Sequence, residues 1–203
     1  MALPMFPLST VLFPTMLLPL HVFEPRYRVL IESVVEGDGE FGVVLIARGH
    51  EVGGGEQRHD VGTVARLLEV GEIEGGRYVA LTLGTRRVHV TRWLADDPHP
   101  WAEVVERADI AVHASLTSQR DELERRLRRV LGLQAELGES VPPATLSLDS
   151  DAVAATWQAA SLAPLNPFDA QELLEEDDPA TRLARLLDLL ADIHELLDLQ
   201  LHA

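Results

Sequence analysis

The spacing of apolar and polar positions changes along the chain, and the changes outline its elements. Residues 6–27, FPLSTVLFPTMLLPLHVFEPRY, hold short apolar runs cut by Pro7, Pro14, Pro19 and Pro25. Proline fixes φ and removes an amide donor, so Val11–Phe13 and Leu17–Val22 predict short strands with each proline at an edge or a strand end. Pro25 suits a first helical position, and Tyr27, Leu30, Ile31 and Val34 then recur at helical spacing until Gly37. Phe41–Ala47 is a continuous apolar run, as expected of a strand buried on both faces. Residues 48–60, RGHEVGGGEQRHD, have no periodicity and predict an exposed loop. A meander follows, with strands over Val61–Val70, Tyr78–Leu83, Arg86–Trp93 and Trp101–Arg107, a turn over 72–76, and a bend or bulge at Gly84.

Beyond Ile110 the period becomes helical. Ser118 and Asp121 have capping-box spacing ahead of Leu123, Leu127, Val130 and Leu131, with Arg125, Arg126, Arg128 and Arg129 on the flanks. Residues 139–149, with Pro142-Pro143, read as a linker, and Ser150 is the expected cap of the next helix. Asn166-Pro167 and Asp178-Pro179 each set a capping side chain before a proline suited to a first turn, which predicts two more helices. The last should bury Leu183, Leu186, Leu187, Leu190, Ile193 and Leu197. The fold class is therefore α+β: a β pseudo-barrel of about six strands with one inserted helix over 1–113, then an α-helical lobe over 114–203.

The run Phe6-Pro7-Leu8, Val11-Leu12-Phe13-Pro14 and Leu17-Leu18-Pro19-Leu20-His21-Val22-Phe23-Glu24-Pro25-Arg26-Tyr27 resembles the opening signature of the Lon N-terminal domain. That domain is the substrate-recognition part of Lon proteases and also occurs as a stand-alone protein in bacteria. The segment GRYVALTLGTRRVHV resembles the family's later strands, so the likeness covers residues 1–110 well. The family's usual form has Gly after the second Phe-Pro. Here Thr15 takes that place, and a different turn is expected. The resemblance implies a PUA-like fold and a non-catalytic polypeptide-binding module, an adaptor or holdase for unfolded or damaged proteins in cytoplasmic protein quality control. A protease or chaperone is the implied further partner, and a weak homodimer is compatible with it. Signature residues Phe6, Pro7, Phe13, Pro14, Pro19, His21, Phe23, Glu24, Pro25, Arg26 and Tyr27 are assigned a structural role.

Composition narrows the classes. With 203 residues, 46% of them hydrophobic, the chain can build one large domain or two small lobes with real cores. No apolar run reaches the roughly 18–20 residues that span a bilayer. The opening MALPMFPLS has no positively charged region, so neither a secreted nor a membrane-spanning protein is expected. Cysteine is absent, which removes disulfides, thiolate nucleophiles and thiolate metal sites and fits a reducing cytoplasm. The net charge is −16, and residues 145–203 hold 12 acidic residues against two arginines, which gives −10 there. Such a surface repels phosphate backbones, so nucleic acid is not an expected partner. Polypeptide binding ranks first, a small-molecule or enzymatic role of the barrel second, and RNA binding by a PUA-like barrel third.

All 17 basic residues are arginine. A Walker loop and a serine-lysine protease dyad both need a lysine, so this sequence holds neither, and no enzyme activity or cofactor is expected of it. The glycines at 53–55 precede a strand pattern without a lysine, which does not suit a phosphate loop. No HExxH or other tight metal spacing occurs among the eight histidines. His21 is expected to make a structural hydrogen bond, and His194-Glu195 to face solvent. Glu24 beside Arg26 has a catalytic look, but its default role is capping the helix start, with Arg26 held by a carboxylate or backbone carbonyls. Acidic Asp96-Asp97 reads as a solvated turn. Trp93 and Trp101 flank the turn ADDPHP: barrel-edge packing is their default, and they are the polypeptide-binding candidates.

Overall fold

The computed structural model of the chain describes residues 1–51, 54–111, 116–143 and 145–202. They form two compact units, Met1–Ala108 and Asp109–Ala203. The expected boundary at 113/114 lies outside the described residues, as does part of the 53–55 glycine run.

The first unit contains β1 (Ala2–Leu8), β2 (Leu17–Val22), α1 (Pro25–Glu36), β3 (Glu40–Arg48), β4 (Gln57–Ile73), β5 (Arg77–Trp93) and β6 (Trp101–Glu106). The strand order is β2-β5-β4-β3-β1-β6, and β6 also pairs with β5. Both β2 and β6 use one side of β5: Leu17–Val22 lie opposite 78–83, and Ala102–Glu106 lie opposite 88–93. The sheet is thus a pseudo-barrel rather than a single closed barrel. The β1–β3 pair is parallel and every other pair antiparallel.

The sequence pattern does not announce β1, because Pro4 and Pro7 lie within it. Residues 2–4 pair with β6 and residues 5–8 with β3, so each part of the strand has one neighbour and tolerates a missing amide. In contrast, Val11–Phe13 is not a strand. Its side chains are buried while its backbone carbonyls serve other elements: Thr63 Oγ1 donates to Leu12 O at 2.5 Å, and a Cβ on Gly84 would lie 2.1 Å from Phe13 O. That contact is why Gly84 is needed at the irregular stretch of the β4–β5 ladder, between Thr63 and Ala65. Thr15 has φ 67°, the left-handed conformation that glycine adopts at little cost, and its N–H donates to Gly84 O at 2.8 Å.

Alternation along β1 and β3 serves two cores. Leu3, Met5 and Val44 face Val64, Val88, Val90, Ala102 and Val104 inside the pseudo-barrel. Phe6, Leu8, Phe41 and Val43 face α1, which buries Tyr27, Leu30, Ile31 and Val34 at the predicted helical spacing. Each of these four side chains stabilises the unit by about 1.5–3 kcal/mol. β4 begins at Gln57, ahead of the expected Val61.

The second unit contains α2 (Thr117–Glu136), α3 (Ala152–Leu162), α4 (Pro167–Glu175) and α5 (Pro179–Leu201). Asn166 and Asp178 cap α4 and α5 as expected, accepting from Asp169 N and Ala180 N. Two other caps differ. α2 starts one residue before Ser118, which therefore lies inside the first turn, where it cannot form a capping box. Asp151 rather than Ser150 caps α3, accepting from Ala154 N at 2.8 Å. The arginines of α2 hold the linker: Arg120 donates to Leu148 O and Arg128 to Leu146 O. Of the apolar residues expected to be buried on α5, Leu183, Leu186 and Leu190 are fully so, while Leu187, Ile193 and Leu197 are half-buried.

The largest fully buried side chain of this unit is that of Arg182. It forms two 2.8 Å bonds to Asp109 and one of 2.9 Å to Glu176 O, and its guanidinium lies 3.6 Å from the Trp157 ring centroid. Among the described residues no helix is long and apolar enough to cross a membrane.

Candidate functional site

The signature residues of the first unit gather around one cleft. Because β2 places Leu18, Leu20 and Val22 inward, it turns Leu17, Pro19 and His21 outward. The turn into α1 then leaves Phe23 56% exposed and returns Tyr27 to the interior. The resulting cleft has a volume of about 130 Å³; its floor is formed by Phe6, Leu20, Val22 and Tyr27, and its mouth by Pro19 and Phe23. Tyr27 stacks on Phe6, with ring centroids 4.1 Å apart, and Arg26 covers its other side with the guanidinium 4.4 Å from the ring centroid. Burial pushes the Tyr27 hydroxyl well above the usual phenol range, so it stays protonated.

The rim is acidic. Glu24 does not cap α1, as no side-chain bond reaches the helix amides; its carboxylate instead accepts from Arg26 Nε at 3.2 Å. Arg26 also donates to Glu51 O at 3.1 Å, which brings the segment after β3 to the cleft. Glu51 accepts from Ser9 N through one carboxylate oxygen and lines the cleft. His21 is exposed here, and its ring makes no hydrogen bond among the described residues, so the expected structural bond is not formed. Beside the cleft, the outer edge of β2 pairs with no strand among the described residues.

The two tryptophans occupy different settings. Trp93 is half-buried against the inner core, donates through Nε1 to Asp60 at 3.1 Å, and lies under the Arg58 guanidinium at 4.8 Å. Arg58 in turn holds Glu56 and Asp96, so Asp96 is an ion-pair partner rather than a merely solvated turn residue. Trp101 stacks on His99 at 5.4 Å and lines a cavity of about 380 Å³ together with Leu3, Val34, Asp38 and Glu40. His99 is 2% exposed, and burial lowers its pKa, which favours a neutral ring beneath Trp101. Glu40 accepts from Arg86 at 2.6 Å and from Arg66 at 3.1 Å. These bonds hold its carboxyl below the usual carboxylate range. In the helical unit, His194 is half-buried and Glu195 exposed, and both line an open, charged surface groove with Arg126 and Arg129. Among the described residues no cluster of three or more His, Asp or Glu side chains is arranged to hold a metal ion.

The sequence motif therefore marks the cleft's walls but not Glu51, and no motif marks Asp38 at the other cavity. These two are lone carboxylates in connecting segments, brought in by the fold from outside any motif.

Residues 2–192 match the family model of the ATP-dependent protease La (LON) substrate-binding domain. The chain is 30% identical over 208 residues to Lon protease 2 of Herpetosiphon aurantiacus, a match covering 98% of this chain and 25% of that protein. It is 27% identical over 206 residues to the Lon protease of Trichlorobacter lovleyi, with the same two coverages. It thus spans about a quarter of the length of the curated relatives it matches. Among solved structures, the Lon N-terminal domain protein from Xanthomonas campestris superposes with a TM-score of 0.68 at 29% identity, covering 93% of this chain and 98% of that one. The N-terminal domain of Mycobacterium avium complex Lon protease gives a TM-score of 0.70 at 22% identity, covering 95% and 99%, a likeness of fold alone.

Proposed function

Because the chain belongs to the Lon substrate-binding domain family, we propose that its β unit recognises polypeptide and acts as a non-catalytic adaptor or holdase for unfolded or damaged proteins. The carrying observation is the arrangement around β2, where a strand edge unpaired among the described residues, exposed Leu17 and Phe23, and a cleft with a largely apolar floor walled by the signature residues adjoin one another. Folded proteins bury their apolar side chains and satisfy their backbone amides, so a surface of this kind selects chains that have done neither. Such clients lose conformational entropy when held, and binding should be weak and tolerant of sequence.

Trp101, at its 380 Å³ cavity, is a second contact for a bound chain. Trp93 has its indole N–H and one face engaged and supports that edge from behind. The helical unit, with −10 over residues 145–203, keeps bound chains apart by repulsion and offers a docking surface for a protease or chaperone. Chemistry by this sequence is not part of the reading: it contains no lysine for a Walker loop or a serine-lysine dyad.

Titrating the full chain with a reduced, unfolded model protein, with its folded form and with a short RNA tests the reading. The unfolded client should bind and the other two should not. Equal binding of the folded client or of the RNA overturns it.

A further inference from the structure

The cleft beside β2 is small, and its charge is one-sided. At about 130 Å³ it is close to the size of an engineered cavity of about 150 Å³ that accepts benzene, so its size matches one aliphatic or phenyl side chain. Its floor is formed by the buried side chains of Phe6, Leu20, Val22 and Tyr27, whose one polar group is the Tyr27 hydroxyl. The rim carries Glu24, Glu51, Arg26 and the exposed His21; Arg26 is taken up by Glu24 and by the Glu51 carbonyl, and the Glu51 carboxylate, which accepts from Ser9 N, forms no ion pair among the described residues. Along the adjoining edge Pro19 has no N–H to offer, so a strand laid there forms an incomplete ladder, and capture of its side chains must supply more of the affinity.

From these features we infer that the cleft is a single-side-chain subsite for an extended client segment: it takes one Leu-, Ile-, Met- or Phe-sized side chain and pairs an adjacent Arg or Lys of the client with Glu51. The inference rests on the polypeptide-recognition reading above and adds to it which segments of a client are chosen. Short stretches that join an apolar side chain to a basic one are selected. Stretches whose apolar group is indole-sized, or whose neighbour is acidic, are passed over.

The test uses the full chain and fluorescent hexapeptides of a Gly/Ser host with guests Leu-Arg, Phe-Arg, Trp-Arg, Leu-citrulline and Leu-Asp. Leu-Arg and Phe-Arg should bind at least tenfold more tightly than Trp-Arg. Citrulline, which keeps the shape of arginine and loses its charge, should weaken binding about two- to fivefold, the worth of one exposed ion pair. Glu51→Gln keeps an oxygen for Ser9 N and should erase the Arg-citrulline difference, while Phe23→Ser should weaken the Leu-Arg and Phe-Arg peptides alike. Both positions are on the rim, and equal thermal midpoints will show that the fold is kept. The inference falls if Trp-Arg binds as well as Leu-Arg, if Glu51→Gln leaves the arginine preference intact, or if no hexapeptide binds while the unfolded model protein does. Failure of the unfolded protein itself to bind strikes the underlying reading instead.

Discussion

Replacing Asp109 by alanine is expected to cost the helical unit more than replacing its partner Arg182 by methionine, although both changes break the same pair. Arg182 has no solvent exposure, whereas the Asp109 side chain keeps 23%. Removing Asp109 leaves a guanidinium in the interior with Glu176 O and the Trp157 face as its remaining partners, and its Nε already has none. Stranding a buried charge in this way costs about 3–5 kcal/mol. Arg182→Met removes the buried charge itself, supplies an apolar chain to pack on Trp157, and leaves a carboxylate that water can reach; about 2–3 kcal/mol is expected. In the double variant the losses should fall short of their sum, because the two residues act as one unit. Urea unfolding followed by far-UV circular dichroism reads all three. An Asp109→Ala cost below about 1 kcal/mol, or a larger cost for Arg182→Met than for Asp109→Ala, refutes the reasoning.

Three further outcomes follow from the first unit. Thr15→Gly should stabilise it by about 0.5–1 kcal/mol, the left-handed strain relieved minus the extra entropy of an unfolded glycine; a loss of stability in thermal melts contradicts this. Gly84→Ala should cost about 3 kcal/mol or prevent folding, since its Cβ would meet the Phe13 carbonyl at 2.1 Å; a denaturation midpoint like that of the parent contradicts it. Burial holds His99 below its ordinary value of 6.5, so its contribution is complete above pH 6.5 and drains away as the pH falls toward its folded value. Glu40, held below 4.5 chiefly by Arg86, adds a further loss only at lower pH. His99→Gln should therefore flatten the fall in melting temperature between pH 7 and 5, and an unchanged slope contradicts the assignment.

Local rules carried much of the fold. Pro25 with Tyr27, Leu30, Ile31 and Val34 reads directly as α1, and Asn166 and Asp178 cap their helices where the sequence places them. Where expectation and structure part, non-local partners decide. Pro4 and Pro7 disguise β1, which exists because two other strands share its length. The apolar run at Val11–Phe13 looks like a strand, yet its carbonyls are claimed by Thr63 and crowd Gly84, residues far along the chain. Glu24 has the position of a cap and spends its carboxylate on Arg26. The cleft was half visible for the same reason: its walls sit in one contiguous motif, whereas the exposure of Phe23 and the approach of Glu51 depend on how β2 and the segment after β3 meet.

The proline at the centre of β2 also bears on the fate of the protein at high concentration. A strand edge left open among the described residues and flanked by exposed Leu17 and Phe23 would ordinarily be a template on which identical copies stack, edge upon edge, into an insoluble fibre. Growth of that kind needs an unbroken row of donors passed from each copy to the next, and Pro19 interrupts the row in every copy. The residue that makes the edge a poor strand partner therefore lets a sticky surface stay open to foreign chains without committing the molecule to polymerise with itself.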